Sequence, residues 1–139
     1  MTRQVLAGLA LAFAALQAQA GVAVIGHPGI AAAGLTADQA AQLYLGKSRT
    51  LPDGSAATVI DLKEGDPARV FFLERVVGKD EQQVRGYWAR QIFSGKGQPP
   101  RAVGSGAEML RAVEATPGAV GIIDSAQVTG RVKVLYRID

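Results

Sequence analysis

The sequence of 139 residues contains no cysteine and only one histidine, His27. The absence of cysteine excludes a disulfide framework and a thioether-linked lipid anchor. His27 lies far in sequence from any acidic cluster, so no metal-ligand spacing is present. A Gly-x-Ser-x-Gly motif and a P-loop are also missing, and no pattern combines a nucleophile, a base and an orienting group. The sequence therefore predicts a protein that is not an enzyme and has no metal ion or other cofactor.

A strong excess of one charge is also missing. The formal net charge is +3, and it falls to +2 if Arg3 is removed with an N-terminal leader. The basic residues are scattered along the sequence, which argues against a nucleic-acid-binding patch. The charge supports at most a weak preference for anions.

Residues 1–20 have the pattern of a cleaved signal peptide. Arg3 supplies a positive start, residues 5–16 form an apolar run, and Ala18-Gln19-Ala20 is a small-residue cleavage pattern. The run is too short to cross a bilayer, which takes about 20 apolar residues. We expect a secreted chain that begins at Gly21, is periplasmic if the source is Gram-negative, and forms one domain over residues 21–139.

Short apolar strands alternate with capped helices in the remaining sequence. Strands are predicted near residues 21–25, 58–62, 101–103, 119–123 and 132–138. Helices are predicted to begin after Thr36, Asp66, Asp80 and Ser105. In the third helix, Val84, Tyr87, Trp88 and Ile92 are predicted to face the core. This order predicts an α/β domain with a mostly parallel central sheet flanked by helices.

The segment from Val59 to Gly78 is the best-marked strand, turn and helix. Asp66 can cap the helix, and Pro67 suits its first position because proline lacks an N–H. Gly78 suits a left-handed C-terminal stop. The first turn of such a helix presents free N–H groups and a positive dipole end, which suit an anion.

The candidate ligand-binding residues follow from the helix starts. In open α/β sheets, ligands bind at the carboxyl ends of strands. We expect the starts at Asp66 and Ser105 to converge there, with His27 joining from the end of the first strand. The candidate residues are Ser105, Gly106, Asp66, Arg69, Lys63 and His27. The alternative for Asp66 and Ser105 is a helix cap without a ligand, and for His27 an ordinary turn residue.

Several passages of the sequence are informative together: Leu35-Thr36, residues 43–47 with 51–54, Lys63 to Arg69, residues 87–97 and residues 116–123. In their order and spacing they resemble the periplasmic phosphate-binding proteins of ABC transporters. The resemblance extends over nearly all of the chain after the leader, from about Val22 to Ile138. The resemblance implies one lobe of a type II periplasmic binding protein, an anion such as phosphate as ligand, and a membrane transporter as partner.

Two features depart from the family's pattern. Asp66-Pro67-Ala68 stands where the family carries Ser-Gly-Thr, so the hydroxyl donors of the phosphate loop are missing. The chain also resembles one lobe of a two-lobed clamp, so a ligand would stay partly in water and bind weakly.

Two hypotheses remain open at this point. The first is a periplasmic solute-binding-like protein for phosphate or a related oxyanion. The second is a non-catalytic interaction or sensing module that has lost its ligand and docks on a membrane protein or another periplasmic protein. A homodimer is a further hypothesis, because a second copy could supply the missing wall of the cleft.

Overall fold

The computed structural model describes residues 21–139. The predicted signal peptide, residues 1–20, lies outside the described residues. Five strands and four helices follow in chain order: β1 (Val22–Gly26), α1 (Ala37–Tyr44), β2 (Thr58–Leu62), α2 (Pro67–Phe72), α3 (Glu81–Phe93), β3 (Arg101–Val103), α4 (Gly106–Ala115), β4 (Ala119–Asp124) and β5 (Lys133–Ile138). Strands and helices therefore alternate over most of the chain, which confirms the predicted α/β class.

One sheet forms the centre of the domain, in the order β3-β2-β4-β1-β5. β2 pairs in parallel with β3 and β4, whereas β1 pairs antiparallel with both β4 and β5. Four of the five strands therefore run in one direction and β1 runs against them. The mostly parallel sheet is confirmed. The reversed direction of β1 determines at which edge of the sheet His27 lies, because His27 follows the last residue of this strand.

The predicted helix caps are found in the structure. Thr36 and Gln39 form a reciprocal capping box at α1, and Asp80 and Gln83 form one at α3. At α4, Ser105 caps the Glu108 N–H, but the Glu108 carboxylate accepts from Gly104 and not from Ser105. The reciprocal box is therefore only half formed at α4, because the Glu108 carboxylate accepts from the N–H of Gly104, one residue before the cap.

α2 continues into one π-helical turn, Leu73–Val77, and ends at Gly78. Gly78 has φ 77°, the left-handed conformation that glycine adopts without steric cost. Asp66 caps α2 and Pro67 occupies its first position. The strand, turn and helix predicted for residues 59–78 are therefore confirmed.

The core lies on both faces of the sheet. Its largest fully buried side chains come from β1, β2, β4, α2 and α4, and include Phe72, Ile25, Ile60, Met109 and Ile122. The predicted apolar stripe of α3 is only partly correct. Val84 is buried and Tyr87 and Trp88 are half-buried, but Ile92 is 54% exposed because the last turn of α3 extends beyond the core.

No helix within residues 21–139 combines the length and the apolar character that crossing a membrane requires.

Candidate functional site

A small cavity lies where α2 and α4 begin, beside the carboxyl ends of β2 and β4. Its volume is about 210 Å³. The lining comes from the three segments that meet at this edge of the sheet: Leu62, Asp66, Pro67, Ala68, Gly106, Asp124 and Gln127. The starts of α2 and α4 thus converge on one cavity, as the strand order requires.

The polar groups at this cavity cap the local helices. The Asp66 carboxylate accepts from the Ala68 N–H at 2.9 Å, and the Asp124 carboxylate accepts from the Ala126 N–H at 2.8 Å. Ser105 Oγ accepts from the Glu108 N–H at 3.1 Å and does not line the cavity. Within the part of the chain that the structure describes, two carboxylates and no cationic side chain therefore line the cavity.

Gly106 allows close packing at the start of α4. A Cβ atom at this position would overlap the side-chain amide of Gln127. Gln127 follows β4 in a single 3₁₀ turn, Ser125–Gln127. The glycine therefore lets the segment after β4 pack closely against the first turn of α4.

Arg69 does not reach this cavity. Its Nη1 donates to Asp61 Oδ2 at 2.5 Å, and its Nε donates to Glu81 Oε1 at 2.8 Å. The side chains of Arg69 and Asp61 are only 12% and 11% exposed. The predicted support of an anion by Arg69 is not available in this geometry, because two carboxylates already neutralise the guanidinium.

The Asp61–Arg69–Glu81 cluster joins three elements. Asp61 lies on β2, Arg69 on α2 and Glu81 at the start of α3. Glu81 also accepts from the Gly65 N–H at 3.2 Å, so it holds the turn that precedes α2. Asp61 is not among the candidate residues that the sequence predicts. The available signal was one carboxylate inside an apolar strand, since a buried charge needs a partner.

The titration of Asp61 should make the stability of the domain depend on pH. Burial raises the pKa of Asp61 to about 6, although Arg69 opposes this shift. The folded state then holds a proton that the unfolded state loses near pH 4, so the free energy of unfolding falls as pH rises from about 4 to about 6. At 1.36 kcal/mol per pKa unit, the loss is about 2–3 kcal/mol. The measurement is urea denaturation at several pH values.

Asp61→Asn is the control for this prediction, because asparagine cannot titrate. The difference in unfolding free energy between wild type and Asp61→Asn should change by about 2–3 kcal/mol between pH 4 and pH 7. A difference that stays constant over this range would show that Asp61 titrates alike in both states.

Lys63 and His27 lie away from the cavity. Lys63 is exposed at the end of β2 and does not line it. The prediction that His27 joins the helix starts is wrong. Because β1 runs antiparallel to β4, the end of β1 lies beside the beginning of β4, where the His27 N–H donates to the Ala119 carbonyl at 2.9 Å.

His27 instead lines a separate cavity of about 430 Å³ with Pro117 and Gly118. Its Nδ1 accepts from the Gly29 N–H at 2.9 Å, which holds the turn after β1. Within residues 21–139, no group of three or more histidine or acidic side chains is arranged to hold a metal ion.

No protein-family model matches the sequence, and no curated protein shows significant similarity to it. Solved structures do match the fold. One is described as a phosphate ABC transporter substrate-binding protein with bound phosphate, from Clostridium perfringens. It has 20% sequence identity and a TM-score of 0.63, and the match covers 83% of this chain and 44% of that chain.

Two other structures match equally well. An ABC-type phosphate transport receptor from Vibrio cholerae has 18% identity, a TM-score of 0.63 and coverage of 83% and 45%. PstS from Borrelia burgdorferi has 13% identity, a TM-score of 0.63 and coverage of 83% and 46%. The resemblance to phosphate-binding proteins is therefore confirmed at the level of the fold. The chain spans less than half the length of these structures.

Proposed function

We propose that this protein is a non-catalytic, solute-binding-like domain that holds a small oxyanion of the phosphate class weakly. The supporting observation is the convergence of the starts of α2 and α4 on one cavity. The fold is shared with a protein that was solved with bound phosphate. The anion would lie at the first turn of α4, where Gly106 and Ala107 carry N–H groups without an intrahelical partner.

The carboxylates of Asp66 and Asp124 would select the protonation state of the anion. A carboxylate repels a fully ionised anion but accepts a hydrogen bond from one that carries a proton. Phosphate keeps a proton at neutral pH, whereas sulfate does not. The proposed site therefore prefers phosphate to sulfate, and it binds weakly because no cationic side chain of residues 21–139 lines the cavity.

The proposed setting follows from the resemblance and the N-terminal pattern. The chain would be exported through its signal peptide and would act outside the cytoplasm, in the periplasm of a Gram-negative source. A membrane transporter would be its partner. These parts of the proposal depend on residues 1–20 and on the fold relationship, and they can be tested by locating the processed protein in cell fractions.

Phosphate should raise the thermal unfolding temperature of the protein. A ligand at about 100 times its dissociation constant adds roughly 2.7 kcal/mol to stability, which corresponds to several degrees for a domain of this size. The measurement is thermal unfolding at constant ionic strength with increasing phosphate or sulfate. We expect an upward shift with phosphate and a much smaller shift with sulfate.

The variant Asp66→Asn/Asp124→Asn is the matched test of anion selection. Asparagine also caps helices through its side-chain oxygen, so the local structure is kept, while both negative charges are lost and the second oxygen of each carboxylate is replaced by an NH2 donor. The difference between phosphate and sulfate should disappear in this variant.

In addition, Ser105→Ala should weaken the phosphate shift by loosening the start of α4. An absence of any shift with phosphate would overturn the proposed anion binding.

The second candidate function is an interaction or sensing module without a ligand. The specific observation in its favour is the ion pairing of Arg69, which leaves two carboxylates facing the cavity without a cationic partner. This candidate predicts no shift with any anion. Sizing chromatography would then test whether a second copy of the chain is the partner.

A further inference from the structure

The C-terminal end of α3 combines exposed apolar side chains with basic ones. Ile92 is 54% exposed and Phe93 is 94% exposed, and they are the exposed large hydrophobic residues of the part of the chain that the structure describes. We call these two residues the apolar tip. The core does not cover these two side chains, so the apolar tip contacts solvent.

The end of α1 lies beside the middle of α3. The Tyr87 hydroxyl donates to the Leu45 carbonyl at 2.6 Å. A shallow cavity of about 170 Å³ next to this contact is lined by Gly46, Arg49, Trp88 and Pro100, among others. The segment after α1 and the loop after α3 therefore meet beside Trp88, one helical turn before the apolar tip.

The segments that meet here carry five exposed cationic residues, which we call the basic surround: Lys47 and Arg49 after α1, Arg90 and Lys96 within one turn of the apolar tip in the sequence, and Arg101 at the start of β3. None of the five takes part in an ion pair within residues 21–139. No acidic residue lies between Asp38 and Asp53, or between Glu81 and Glu108. These two stretches of the sequence therefore carry cationic side chains and no acidic ones.

The rest of the described chain has the opposite balance. Outside the basic surround, residues 21–139 contain nine cationic and twelve acidic side chains. The charge is therefore separated between the α3 end and the remainder of the domain. Such a separation orients a protein toward a negatively charged surface at low ionic strength.

We propose that the apolar tip and the basic surround dock this domain on an anionic phospholipid surface. Cationic side chains are attracted by acidic headgroups, and an exposed phenylalanine can insert at the boundary between headgroups and acyl chains. A stable protein interface buries about 800 Å² on each partner around a packed centre. Two exposed apolar side chains are too few to form such a packed centre. A lipid surface can take them up without shape complementarity, so lipid is the favoured partner. This inference is independent of the proposed anion site.

The test is cosedimentation with vesicles of phosphatidylglycerol, using phosphatidylcholine vesicles for comparison. Wild type and variants carry the same N-terminus, so differences between them come from the α3 end. The wild-type protein should bind phosphatidylglycerol vesicles at low salt, bind phosphatidylcholine vesicles weakly, and be released at high salt. Phe93→Ser should reduce binding about tenfold.

Arg90→Gln/Lys96→Gln should also reduce binding about tenfold or more, since each cation near an anionic surface contributes attraction. The matched control is Arg111→Gln/Arg137→Gln, which removes two exposed charges from α4 and β5 and should leave binding unchanged. Equal binding by wild type and Phe93→Ser, or no binding to phosphatidylglycerol, overturns the proposal. Binding to soluble polyaspartate without binding to vesicles would instead indicate an acidic protein partner.

Discussion

Arg69→Met should destabilise the domain by about 3 kcal/mol at pH 8, because it leaves two largely buried carboxylates without their cation. Methionine keeps most of the aliphatic volume, so the loss reflects charge more than packing. The Asp61 and Glu81 side chains would face each other with no positive group between β2, α2 and α3. Urea denaturation measures the difference in unfolding free energy.

The size of this effect should depend on pH. Asp61 already has a raised pKa, and without Arg69 its pKa should rise further, since Arg69 is what opposes the shift. At pH 5 a protonated Asp61 needs no cation, so the destabilisation by Arg69→Met should be clearly smaller than at pH 8. A loss of the same size at both pH values would show that packing, and not charge, explains the effect.

Arg85→Met is the matched control for Arg69→Met. Arg85 donates to Glu64 at 2.9 Å, a distance close to that of the Arg69 pairs, but both partners are exposed. Exposed ion pairs contribute about 0–1 kcal/mol. The control should therefore lower the unfolding free energy by less than 1 kcal/mol. A similar loss in both variants would contradict the structural role given to the buried cluster.

Short-range patterns in the sequence predicted the helices and strands well. The side-chain positions that were not predicted depend on contacts between residues far apart in the sequence. Asp66 with Pro67 and the left-handed Gly78 are short-range signals, and the structure shows both where they were predicted. The position of His27 depends on the direction of β1, which is set by pairing with β4, almost one hundred residues later. No local pattern around His27 contains that information.

The role of Arg69 was missed for the same reason. As an isolated residue near a helix start, it suits an anion. Its actual partners come from the preceding strand and from the next helix, and they became visible only when the three elements packed together. The basic surround likewise draws on the segment after α1, on α3 and its following loop, and on β3, so its cations are dispersed in the sequence.

Phe72→Ala should have the largest effect on stability, a loss of about 3–5 kcal/mol in the free energy of unfolding. Phe72 is 0% exposed at the end of α2, and its ring meets the Tyr44 ring edge-on at a centroid distance of 4.9 Å. The Tyr44 hydroxyl in turn donates to the Ile60 carbonyl at 2.7 Å. Truncation would leave a cavity between α1, α2 and β2, and urea denaturation measures its cost.

Phe93→Ala is the matched control, because it makes the same chemical change at an exposed position. Its unfolding free energy should stay within about 0.5 kcal/mol of wild type, as expected for surface substitutions. This contrast also bears on membrane docking. If Phe93 can be removed without loss of stability, weaker vesicle binding by a Phe93 variant reflects a lost contact and not unfolding. Comparable destabilisation by the two truncations would contradict both the burial of Phe72 and the exposure of the apolar tip.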